Sequence, residues 1–285
     1  MKNIITKAGM ALLIAGISAC AFAQEEAPAH SVYSYFRYMP KRSVDAQPGD
    51  VKIVESGIEY LYEFKAFGKL PVALALDNSY MGIEDSVANV ELPAHLSGLS
   101  AGVETTVPFF HFNKTYFRVR LSPSFFGEDL DFSSSAFRLL SRYYIIYQPQ
   151  KKWTFLYGIA VYPDFEYEAL PIIGLIYKPN DKLAFNLIPT RPNITYAFTD
   201  RLSVFADGSA ALDEYEVTRN NQEGVVLRYR ERRMGGGVKF KINEYVQASL
   251  SGGGVFNRRF KYRDGQGKVS VKDGAYGEFC LEMKI

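Results

Sequence analysis

The sequence predicts an all-β protein, a transmembrane antiparallel up-and-down β-barrel of about fourteen strands. Three observations predict it. Apolar and polar side chains alternate with period two through most of the chain, short turns alternate with longer polar loops, and an export signal opens the sequence. Successive strand side chains point to opposite faces, so the alternation gives each segment one oily and one wet face.

The export signal comes first. Lys2 and Lys7 precede an apolar run from Ala8 to Ala19, and Ala21-Phe22-Ala23 offers an A-x-A cleavage site before Gln24. The run is shorter than the roughly 20 residues a membrane-spanning helix needs. Ile17-Ser18-Ala19-Cys20 offers a rival, a lipoprotein box with lipid on Cys20, ranked behind cleavage because the A-F-A site follows directly. The expected division is 1–23 signal peptide, 24–31 short periplasmic leader and 32–285 barrel domain.

Lys2 and Lys7 are the only charges in residues 1–23, so the 33 basic residues fall to 31 and match the 31 acidic ones. Zero net charge argues against nucleic acid, which needs a basic excess to neutralise phosphates. Cys280 is then the one remaining cysteine, which excludes an intramolecular disulfide and reads as a small half-buried strand residue.

Period two places strands near 32–39, 51–64, 71–78, 99–108, 115–122, 136–148, 153–162, 169–178, 183–188, 192–198, 202–216, 226–242, 245–261 and 275–285. Trp153, Phe155, Tyr157, Ile159 and Val161 alternate with Thr154, Leu156, Gly158 and Ala160, and the same rhythm recurs from Leu202 and from Val246. Six short turns, at 66–69, 112–114, 148–151, 179–182, 199–201 and 243–244, alternate with seven longer stretches near 40–50, 78–98, 122–135, 162–168, 188–193, 217–225 and 262–274. That gives an even strand count with both termini on the short-turn side, the layout of bacterial outer-membrane barrels; twelve strands is the alternative. Aromatic residues flank all six short turns, among them Phe64, Phe112, Tyr147, Trp153, Tyr177, Phe185, Phe198 and Tyr245, as an interfacial girdle would.

The last strand alternates apolar Ala275, Gly277, Phe279, Leu281, Met283 and Ile285 with Tyr276, Glu278, Cys280, Glu282 and Lys284. A terminal strand leaves a row of unpaired backbone groups unless it pairs on both sides, so this one is expected to close the ring against Val32–Tyr38. It resembles the targeting signal read by the outer-membrane barrel assembly machinery, with Ile285 where that signal usually has Phe or Trp. The stretches YFRYMP, PIIGLIYKPN, NITYAFTDRLSVFADGS, VLRYRERRMGGGVKFKINEY and GGGVFNRRFKY resemble an uncharacterised family of outer-membrane β-barrel proteins of Gram-negative bacteria. The resemblance implies a barrel and a cell outer membrane location, and brings no activity.

Catalytic and metal chemistry finds no support. His30, His95 and His111 lie in the leader, an outer loop and an inner turn, and neither a metal-ligand spacing nor a G-x-S-x-G elbow occurs, so neither enzyme activity nor a cofactor is expected. An outer-membrane lipid hydrolase would need a Ser or Asp beside His95 or His111. The runs Gly235-Gly236-Gly237 and Gly252-Gly253-Gly254 sit mid-strand and read as bends or close backbone approaches. Parity instead picks out residues opposite the apolar face as lumen-lining: Glu55, Glu59, Glu63, Glu104, Arg118, Arg120, Arg138, Arg142, Asp207, Lys239, Lys241, Glu278 and Glu282. Both signs are present. The expected function is a narrow porin-like channel for small solutes with weak charge selectivity. The alternative is a closed structural or surface-interaction barrel acting through loops 78–98, 122–135 and 262–274.

Overall fold

The structure is a computed structural model describing residues 29–284 except 68, 110–111, 131–135, 164, 220, 264 and 266; the signal segment, His111 and Ile285 lie outside the described residues. Fifteen strands follow in order: β1 (Ala29–Ser43), β2 (Asp50–Ala66), β3 (Leu70–Asp85), β4 (His95–Pro108), β5 (Thr115–Gly127), β6 (Phe137–Gln150), β7 (Trp153–Val161), β8 (Ala169–Tyr177), β9 (Leu183–Asn186), β10 (Asn193–Ala197), β11 (Leu202–Arg219), β12 (Gln222–Lys241), β13 (Val246–Tyr262), β14 (Lys268–Val271) and β15 (Gly274–Lys284). Each pairs antiparallel with its neighbour in sequence from β1 to β13, β13 pairs with β15, and β15 returns to β1. Fourteen strands thus close a ring. The seam joins Ser31 to Lys284 through Tyr38 to Gly277, where the terminal alternation placed it. β14 continues β15 outward in the wall, pairing with the outer end of β13 in the same register and bridging to Val44 beyond the end of β1 at Val271.

Several connections differ from expectation. The stretches 40–50, 78–98 and 122–135 are shortened because β1 runs to Ser43, β3 to Asp85 and β5 to Gly127, and two others change character. The stretch 217–225 is mostly strand, because β11 and β12 continue until Arg219 pairs with Gln222. Long β-branched and aromatic runs such as Tyr215-Glu216-Val217 and Val225-Val226-Leu227 can pair well beyond the bilayer. Within 262–274 the last strand begins early, as β14, with Val269 and Val271 buried.

Exterior and interior exchange character along the strands. On β12, Phe240, Val238 and Met234 point outward and are exposed, followed on the same face by Arg232, Arg230 and Arg228. The inward face runs the opposite way, from Lys239 through Arg233 and Glu231 to the buried Tyr229 and Leu227. β2 repeats this, with Glu63 and Glu59 low and Ile53 and Val51 fully buried above. The apolar exterior therefore ends partway up the barrel, and above it the strands pack as a soluble sheet does, oily inside. Met39, Ile53, Met81, Leu96, Tyr215 and Phe260 belong to this outer core, and Val90 and Leu92 of the β3–β4 loop cap it. On β13 the inversion needs a bulge: Asn257 has φ 54°, the register shifts opposite Glu231, and Arg258, Phe260 and Tyr262 turn inward.

The wall is uneven. β10 meets β11 only from Ser203 to Asp207, and β8 meets β9 only at Ile176 and Tyr177. Among the described residues no strand lies between the outer lengths of β8 and β11. Residues 187–192 cross the base of this gap, Ile188 packing inward against Leu156, Ala160 and Ile172. Across its top, Glu128 N donates to Glu216 O at 2.8 Å, and Glu166 N to Glu214 Oε1 at 2.8 Å.

Candidate functional site

The polar interior begins beneath the outer core. Arg37, from β1, meets Glu55 from β2 and Glu278 from β15, its Nε lying 2.6 Å from Glu278 Oε2. Arg233 of β12 reaches Glu231 at 3.0 Å and Glu55 at 3.5 Å, and Tyr229 Oη donates to Glu231 at 2.5 Å. Arg37, Glu55 and Glu231 are all buried. Strand pairing puts Arg37 directly opposite both Glu278 and Glu55, so the ion pairs follow from register. These linked charges form a septum between the apolar core and the space below.

Below the septum lies a cavity of about 400 Å³ lined by Tyr33, Glu59, Asp207, Lys239, Gln247, Glu282 and others, running toward the short-turn end. A smaller cavity of about 170 Å³ lies above, reaching Phe126, Asp213 and Tyr215. The two share Arg37, Arg191 and Arg233. Arg191 stands on the inward-crossing segment 187–192, within electrostatic reach of Tyr33, Tyr35, Asp77 and Asp207. It is exposed to the interior; its backbone N–H donates to Ile188 O at 3.1 Å, and among the described residues its guanidinium makes no ion pair.

The thirteen residues singled out by parity fall into several places. Glu55 and Glu278 belong to the septum, and Glu59, Asp207, Lys239, Glu278 and Glu282 line the large cavity. Glu63, Glu104 and Arg118 border a separate pocket of about 400 Å³ at the short-turn rim, with Arg118 3.4 Å from Glu104. Arg120 pairs with Asp77 at 3.0 Å, and Arg142 lies beside Tyr162 and Tyr144. Arg138 is buried near the outer end of β6 and donates to Phe137 O at 2.7 Å, while Lys241 is exposed at the rim.

Parity alone would also have reached Arg37, which alternates with Phe36 and Tyr38, and Glu231 and Arg233, which continue the phase of Lys239. Arg191 carried no signal, since a loop has no period. Arg258, buried with its guanidinium unpaired among the described residues, is out of phase with the lower part of β13 because of the bulge.

Of the histidines, His30 Nδ1 lies 2.6 Å from Tyr60 Oη, and His95 is 3.2 Å from Asp129 at the outer end. Among the described residues no three His, Cys, Asp or Glu side chains gather as a metal site. Cys280 Sγ faces the large cavity, 3.2 Å from Tyr33 Oη.

A closed antiparallel ring with an apolar belt and a charged interior is the architecture of outer-membrane β-barrels. The chain belongs to the family described as a domain of unknown function, DUF6268, whose model matches residues 113–280. Among solved structures it is similar to the COG4313 outer membrane channel from Pseudomonas putida F1, with 9% identity, TM-score 0.51, and 93% of this chain and 98% of that chain covered. It is also similar to the P. putida toluene transporter TodX (11% identity, TM-score 0.42, covering 91% and 90%) and to OccK7 of Pseudomonas aeruginosa (7%, 0.35, covering 92% and 99%). The chain matches no curated protein.

Proposed function

We propose that this protein is a narrow channel for small solutes in the outer membrane of a Gram-negative bacterium, delivered there after signal-peptide cleavage at Ala23 and inserted by the barrel assembly machinery. The supporting observation is the polar cavity of about 400 Å³ inside a ring whose exterior at the same height is apolar. Its lining charges carry both signs, among them Glu59, Asp207 and Glu282 against Arg191 and Lys239. A solute there meets no strong net field, hence the weak selectivity.

The route upward passes Arg191. The outer core lies directly above, and the small cavity is lined on one side by Ala211, Asp213 and Tyr215 of β11, the strand that borders the gap. An unpaired strand edge is tolerated at membrane depth only where it lines a water-filled space or is covered by protein. The gap therefore serves as the outer entrance. Purified protein in planar bilayers should give small discrete conductance steps, and Arg191→Ala should enlarge them and shift selectivity toward cations. Repeated silence from folded protein would dispose of the channel. The outer core favours a second reading, a closed barrel acting through its surface loops, and that silence would support it.

A further inference from the structure

The registers of β11 to β14 bring basic residues together on one exterior face. Arg230 lies directly opposite Arg259, Arg228 opposite Lys261, and Lys261 opposite Lys268 of β14. Arg232 continues the row below Arg230, beside Phe256. Like charges directly opposite one another across a ladder are destabilising, and a solvated face would ordinarily alternate signs. Two of the six have partners: Glu214 sits 2.7 Å from Arg228, and Glu166 pairs with Arg230 and lies 3.4 Å from Arg228. Arg232, Arg259, Lys261 and Lys268 have none among the described residues, and Arg232, Lys261 and Lys268 are exposed.

The height of this cluster says what it faces. On β12 the outward row passes from Phe240, Val238 and Met234 straight into Arg232 and Arg230; on β13 it passes from Leu250 and Phe256 into Arg259 and Lys261. The cations begin where the apolar belt ends, on the side of the longer loops, at the level of the outer leaflet's headgroups. Opposed side chains on adjacent strands stand about 5 Å apart at Cβ, so the row spaces its cations closely enough for two to share one phosphate. Guanidinium groups bind phosphate bidentately.

We propose that this face binds the phosphates of an outer-leaflet phosphoglycolipid, lipopolysaccharide, and so fixes the lipid shell beside β12 and β13. The inference rests on the membrane placement given above and is independent of whether the barrel conducts. The test uses the full mature protein, lipopolysaccharide carrying its lipid A phosphates, the same lipid enzymatically dephosphorylated, and inorganic phosphate as competitor.

The variant Arg232→Gln/Arg259→Gln/Lys261→Gln should bind phosphorylated lipopolysaccharide about a hundredfold less tightly, about fivefold per charge. Lys151→Gln/Lys152→Gln/Lys182→Gln, at the opposite rim, should bind like the unaltered protein. A heat-modifiable band on SDS gels reports folding of each. If the first variant fails to fold, Lys261→Gln/Lys268→Gln in the outer hairpin takes its place, with an expected loss of about 25-fold.

Equal affinity for phosphorylated and dephosphorylated lipid, or undiminished binding by the folded variant, overturns the proposal. So does displacement by millimolar inorganic phosphate, which would make the site one for the free ion. Protein found in the aqueous fraction without detergent would instead sink the barrel reading itself.

Discussion

Arg37 shows what a single residue does in this barrel. Its guanidinium is buried between Glu55 and Glu278, with the network extended through Arg233 to Glu231 and Tyr229. Burying such a pair gains little net stability, because desolvation offsets the attraction, yet removing one member strands the other in a dry site. Arg37→Met should therefore cost about 3–5 kcal/mol, toward the lower end because Arg233 still reaches Glu55 at 3.5 Å. Lys239→Met, facing the open cavity, should stay within about 0.5 kcal/mol. Urea unfolding of the two variants in detergent separates a septum built on ion pairs from a loose polar lining, which would respond equally to both. Glu55 and Glu278 were legible from parity. Which cation answered them was a matter of register between strands far apart in sequence, and one chain's periodicity does not encode that.

At the level of elements, the glycine runs and the seam govern how the strands meet. Gly253 lies opposite Gly235, and a Cβ on Gly253 would run into the carbonyl oxygen of Met234. One on Gly235 would meet Tyr276 Oη. The close approach of β12 and β13 therefore excludes side chains at these positions. Gly253→Val should destabilise the folded barrel by about 1–3 kcal/mol or more and weaken its heat-modifiable band, whereas Gly277→Ala, whose Cβ would meet nothing within 4 Å, should leave the band unchanged. Equal behaviour of the two would mean that the glycines serve some purpose other than packing. Strand number, the short turns and the β1–β15 seam could be read from the sequence because side-chain period and turn residues are local. The bulge at Asn257, the hairpin of β14 and the inward path of 187–192 could not: each depends on what the neighbouring strand presents.

The whole molecule is organised by one boundary, the height at which exterior and interior exchange polarity. Below it, hydrocarbon rewards apolar side chains outside and leaves charges for the lumen; above it, water reverses the preference and the strands enclose Met39, Ile53, Leu96 and Phe260. Alternation alone looks identical in both regimes, and this is why the sequence indicated strands correctly but not the outer core. The boundary makes a depth-dependent prediction that no soluble barrel shares. Leu250 is exposed on the belt between Val238 and Phe279, whereas Phe256, on the same face of the same strand, sits beside Arg232 at its upper edge. Leu250→Arg should cost about 2–4 kcal/mol and Phe256→Arg only about 0–1 kcal/mol, because the penalty for a charge falls from midplane to interface. Reversible urea unfolding in lipid vesicles measures both. If the two costs are equal, the belt does not face hydrocarbon, since in water an exposed leucine and an exposed phenylalanine on one strand should tolerate arginine alike.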